Sequence, residues 1–165
     1  NFLQKMKIFR PLIVAFIVVL IWTLVLQSVR GFNLHIAMYD FMASFFLVFG
    51  GLKVINWNKF VISFSTYDPL AKKFLAYAYI YPLIEIFLGF SYLLHFVNVL
   101  PLNLTTIIIL SITTVGIVKK LKLKENVQCA CLGGFFSIPI SKVTVFENMI
   151  MIIMALYMLL FSGIK

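Results

Sequence analysis

Five apolar runs, at residues 11–29, 39–55, 74–96, 104–118 and 143–162, constrain this chain more than any other feature. Each is too long and too apolar for a strand. Hydrocarbon admits only helices or closed barrels, because no water is present to satisfy an open backbone. The pattern therefore predicts an all-α membrane protein, a bundle of about five transmembrane helices. The runs at 39–55 and 104–118 fall short of the roughly 20 residues that a crossing takes. Tilting or partial re-entry is expected of them. An apolar share of 63% exceeds what a globular core can hide, so lipid is the solvent for much of the surface and the first partner.

Fourteen Lys and Arg stand against five acidic residues. In a soluble chain that balance would suggest nucleic acid; here the cations cluster in short gaps between apolar runs, which points to lipid headgroups and excludes a nucleic-acid partner. Lys5, Lys7, Arg10, Lys53, Lys59, Lys72, Lys73, Lys119, Lys120, Lys122, Lys124 and Lys142 share one side if the chain crosses five times, leaving Arg30 and Lys165 on the other. The positive-inside rule then places the rich side in the cytoplasm of a bacterial inner membrane, with a cytoplasmic N-terminus and a periplasmic C-terminus. The first run has no small-residue cleavage site after it and is long enough to span, so it reads as a helix and not as a secretory signal. The chain opens on Asn1 and not Met, which leads us to expect an upstream segment. A single membrane domain over 1–165 is expected, with 1–37 as an N-terminal helix and outer loop.

The only two cysteines, Cys129 and Cys131, lie one residue apart in a lysine-rich loop beside Gly133-Gly134. Nearby lysines favour the thiolate, the form that attacks disulfides and binds soft metals. A Cys-x-Cys disulfide closes a tight ring and should be easily reduced, and a cytoplasmic setting favours the dithiol at rest. Glu85 falls near the middle of the third run, where an ionised carboxylate costs about 2.5–3.5 kcal/mol and must face the bundle. Tyr81, Gly89 and Tyr92 share its helical face. Lys53 is the plausible intramembrane cation, with snorkelling to the interface as its plain explanation.

Other candidates lean towards structure. Thr144 to Glu147 fits a capping box. Glu147, Met151, Met154 and Met158 also fall on one helical stripe, whose thioethers suit Cu(I) but equally fill a bundle. Tyr67-Asp68-Pro69 reads as the turn that starts the third helix, capped by Asp68. His35 and His95 are expected as solvated side chains near the outer face. No phosphate-binding loop, dinucleotide-binding glycine pattern or nucleophile elbow is present.

Residues 46–53 (Phe-Leu-Val-Phe-Gly-Gly-Leu-Lys), 81–89 (Tyr-Pro-Leu-Ile-Glu-Ile-Phe-Leu-Gly) and 128–133 (Gln-Cys-Ala-Cys-Leu-Gly), with Pro139, Thr144 and Glu147, resemble the MauE branch of the DoxX-like membrane proteins. The order and spacing match over roughly residues 38–162. The resemblance implies a four-helix MauE/DoxX-like core preceded by the N-terminal helix, associated with thiol redox or electron supply. It is closest to a subgroup carrying an upstream heavy-metal-associated domain. It implies Cys129 and Cys131 as the active dithiol and Glu85 as a buried family carboxylate. With no second cysteine pair, a relay across the membrane would need a quinone, a thioredoxin-like or metal-binding partner, or a mobile dithiol.

Three functions remain open at this point. In the first, Cys129 and Cys131 cycle between dithiol and disulfide and Glu85 exchanges a proton. In the second, the same dithiol handles Cu+ or Hg2+, with Met151, Met154 and Met158 weakly on its route. In the third, the bundle is an accessory subunit of a larger membrane complex. An enzyme label is left undecided.

Overall fold

The computed structural model describes residues 2–95, 97–134, 138–140 and 142–162, with side chains from 9 to 161 within those ranges. Lys165 and Phe96, counted above for orientation and for the third run, lie outside the described residues, as do the side chains of Lys5 and Lys7. Seven helices follow in order: α1 (Phe2–Arg30), α2 (Leu34–Ile55), α3 (Trp57–Tyr67), α4 (Pro69–Lys73), α5 (Leu75–Leu94), α6 (Val99–Lys122) and α7 (Lys142–Ser162). Five of them, α1, α2, α5, α6 and α7, are long and apolar enough to cross a bilayer, as the apolar runs predict.

Two sequence expectations need correction. Neither α2 nor α6 falls short of a crossing: at 22 and 24 residues both are continuous helices long enough to span. Polar residues at their ends shortened the apparent runs. Asn33 extends α2 backward by accepting from the amides of His35 and Ile36. The second correction concerns Asp68. It does cap a helix, accepting from Leu70 N and Ala71 N at 2.9 Å each, but that helix is the five-residue α4, and the third span starts afresh at Leu75.

The connection between the second and third spans is thus itself folded. In α3 the apolar residues Phe60, Val61, Phe64 and Tyr67 recur at helical spacing and are buried, while Ile62 on the opposite face is exposed. Trp57 Nε1 donates to Tyr79 O at 2.9 Å and ties α3 to α5. The α3–α4 corner fits under α6 because residue 116 is glycine: a Cβ there would sit 2.2 Å from Tyr67 O. Thr113 Oγ1 donates to Asp68 Oδ2 at 2.9 Å and fastens the same corner.

In lipid, helices gain little from apolar burial, so close contact and dispersion must hold them together. α2 and α5 achieve this with glycines. A Cβ on Gly50 would meet Glu85 Cβ at 3.2 Å, and one on Gly89 would meet Leu47 at 2.8 Å. Around this seam stack Phe45 on Phe49 (centroids 4.4 Å apart) and Phe46 on Tyr92 (6.0 Å). By contrast α1 keeps most of its apolar residues outward, with only 28% of its span buried against 56% for α2. It lies on the edge of the bundle, against α2.

Candidate functional site

Lys53 is not at the interface. Its position on α2 continues the buried stripe Met42, Phe46, Phe49, Gly50, and the side chain turns inward. Its Nζ lies 2.5 Å from Glu85 Oε1 and 2.6 Å from Oε2, and the two residues are 7% and 2% exposed. Snorkelling is therefore the wrong account of Lys53. The energetic reason is symmetrical: each charge alone would be costly inside the bilayer, and together they satisfy one another. The aromatic rings of Tyr81 and Phe60 lie 5.1 and 5.6 Å from the ammonium and complete its cage. Of the residues sharing the Glu85 face, Tyr81 belongs to this cage and Gly89 to the helix seam. Tyr92 instead bonds Asn103 Oδ1 at 2.7 Å and Thr106 Oγ1 at 3.0 Å.

The cysteine loop folds back onto this pair. Cys129 N donates to Ile138 O at 2.7 Å and Ile140 N to Val127 O at 2.9 Å, pinching the strand-like arms around Gln128 and Pro139. Gly133 then turns with φ +64°, and a Cβ there would lie 2.4 Å from Leu52 O. Only glycine permits both the left-handed turn and that approach. Gly134, at φ +70°, rests similarly against Lys59. The loop is thereby clamped on the α2–α3 corner, immediately beside Lys53. Tyr67 lines the same cavity as Ala130 of the loop. Burial holds the Tyr67 phenol well above its ordinary range, although the Ala130 backbone works the other way.

Cys129 and Cys131 are joined as a disulfide, with Cα atoms 5.4 Å apart, where the sequence favours a dithiol. The sulfurs differ in setting. Cys129 is buried; its Sγ accepts from Cys131 N at 3.3 Å and lies 3.8 Å from Thr144 Oγ1. Cys131 is half-buried and lines a cavity of about 40 Å³. That volume holds about three or four waters at about 10–15 Å³ each. Its other polar walls are Lys53, Tyr67, Tyr81, Glu85, Thr113, Thr144, Glu147 and Asn148. All three residues expected to act together, Cys129, Cys131 and Glu85, are thus brought to one place, although 44 residues separate Glu85 from the nearer cysteine in sequence.

Other expectations fare differently. α7 already begins at Lys142, so Thr144 lies inside its first turn and the capping box built on Thr144 does not form. Thr144 faces Cys129 instead, and Glu147 is 8% exposed on the cavity wall. Met151 and Met158 are fully buried as core, while Met154 is only partly so. Among the described residues no three His, Cys, Asp or Glu gather as a metal site.

A family model described as methylamine utilisation protein MauE matches residues 32–161. The chain belongs to the MauE family. Neither curated proteins nor solved structures gave a match. The MauE stretch runs from the start of α2 into the last turn of α7 and so contains the whole site; α1 lies outside it.

Proposed function

We propose that this MauE-family protein is a membrane thiol-redox protein in which Cys129 and Cys131 cycle between disulfide and dithiol. The observation that carries the proposal is the asymmetry of the two sulfurs. Cys131 is the more open, on the wall of a cavity that also holds ionisable side chains, and Cys129 is buried beside the Cys131 amide and the Thr144 hydroxyl.

In the step so derived, the thiolate of a dithiol partner, of thioredoxin-like type, attacks Cys131 Sγ. The Cys129–Cys131 bond breaks and Cys129 Sγ leaves as a thiolate. The Cys131 amide, the Thr144 hydroxyl and the first turn of the 21-residue α7 face that negative charge and favour it. The partner's second thiol then attacks the mixed disulfide and releases Cys131. Two electrons and one proton have passed to this chain, which holds the Cys129 thiolate and the Cys131 thiol, and the partner has become a disulfide. The reverse direction follows the same path. The chain has no further cysteine, so onward transfer falls to a second partner or a quinone.

The Lys53–Glu85 pair anchors the floor of the cavity and keeps a fixed dipole beside the reacting sulfur. The surrounding lysines belong, on this proposal, to the cytoplasmic side of a bacterial inner membrane, with 1–165 as one membrane unit whose core is 38–162. Differential alkylation in cells, with and without reductant, tests the function: both oxidation states are expected. A pair found in a single state under every growth condition contradicts it.

A further inference from the structure

We infer that Glu147 is the proton-transfer residue of this site, serving Cys131 through the shared cavity; the inference rests on the redox function proposed above. Three observations converge on it. Glu147 and Cys131 line the same small cavity, from α7 and from the cysteine loop respectively. Glu147 is 8% exposed, so its carboxyl works inside the protein and not in bulk solvent. Among the described residues nothing bonds or ion-pairs with it, whereas the other cavity carboxylate, Glu85, is held at both oxygens by Lys53.

That contrast divides the labour. A carboxylate gripped by an ammonium at both oxygens is poorly placed to give or accept a proton. A buried carboxyl without a partner is free to do so. The groups facing the cavity from each element are Lys53 of α2, Tyr67 of α3, Tyr81 and Glu85 of α5, Cys131 of the loop and Glu147 of α7. The wall from α6 has no ionisable side chain: it consists of Leu110, Thr113 and Ile117. The two tyrosines are weak acids, and Lys53 is committed to Glu85.

The proton balance follows. When the partner's second thiol resolves the mixed disulfide, Cys131 Sγ departs with the bonding electron pair. Glu147 passes it a proton, directly or through a cavity water, and becomes a carboxylate. The proton shed by the partner's resolving thiol restores Glu147. In the oxidising direction Glu147 accepts the Cys131 proton as its sulfur attacks.

The test uses the full chain in lipid nanodiscs. In a Cys129→Ser background, Cys131 is alkylated with iodoacetamide across pH 5–10, with Glu147 intact and as Glu147→Gln. Because a carboxylate beside a thiol disfavours the thiolate, Glu147→Gln is expected to move the midpoint of the profile to lower pH. With both cysteines present, Glu147→Gln is expected to slow exchange with a protein dithiol on the order of 10²-fold. Glu147→Asp is expected to recover part of that rate. Superimposed pH profiles, or an unchanged exchange rate, overturn the assignment. A wild-type disulfide inert to the dithiol overturns the redox function itself, and so separates the two failures.

Discussion

Among the described residues two ion pairs join helices of the bundle, one near each end, and they differ in their surroundings. Near the lysine-poor end, Asp40 is 0% exposed and receives Arg30 Nη1 and Gln27 Nε2, each at 2.6 Å. Arg30 also reaches Leu93 O at 3.1 Å, and Gln27 takes a bond from Asn33 N at 3.2 Å. Every strong contact there joins one helix to another: α1 to α2, and α1 to α5. At the lysine-rich end, Lys53 and Glu85 are equally well matched, but they border a cavity that also holds Cys131 and Glu147, which has no partner among the described residues. A closed polar network fixes helices in place. An ion pair beside free volume, a sulfur and a second carboxyl is what the proposed redox role requires.

The largest expected effect that sharpens this contrast is at Lys53. Lys53→Met strands Glu85 and should cost about 3–5 kcal/mol, read as thermal unfolding in nanodiscs, while Lys53→Met with Glu85→Leu should recover most of it. Were the double variant as unstable as the single, the ion pair would not be the reason. At the other end, Asp40→Asn should cost less, about 1–2 kcal/mol, because the Arg30 side chain is 31% exposed and can turn to solvent. It should leave the reduction rate of the disulfide unchanged; an altered rate would break the division between the two regions.

Gly133→Ala comes next. Its φ of +64° and the backbone of Leu52 at 2.4 Å leave no place for a Cβ, so about 1–2 kcal/mol of strain should lift the loop. Faster reduction of the Cys129–Cys131 bond is expected, with Gly51→Ala, where a Cβ meets nothing within 4 Å, as the silent control.

The smallest effect lies at the far end. Burial, and then the charge of Arg30, lower the pKa of His95 from its usual 6.5. The unfolded chain therefore binds the proton more readily, so the His95 contribution is full above 6.5 and is lost as pH falls below it. A shallow loss of thermal stability from pH 7.5 to 5.5 is expected, and His95→Gln should flatten it.

Length and hydropathy made the five spanning helices legible, because the bilayer imposes both. The inward placement of Glu85 was legible too, because a carboxylate in lipid must face the bundle. What escaped was their mutual placement. Lys53 continues the spacing Met42, Phe46, Phe49, and that periodicity alone could have turned it inward towards Glu85. α3 was hidden in the same way, in the spacing of Phe60, Phe64 and Tyr67 within a stretch too short to span. The role of Thr144 had no local signal, because a helix that starts two residues earlier converts a cap into a neighbour of sulfur.

The central claim is that the Cys129–Cys131 bond opens and closes reversibly beside the Lys53–Glu85 pair. Equilibrating the nanodisc-held protein against a graded series of thiol–disulfide buffers, and counting alkylated sulfurs by intact mass, tests it most directly. A single two-electron transition, the same from the reduced and oxidised sides, is predicted. Sulfurs that keep one state across the whole series would contradict it.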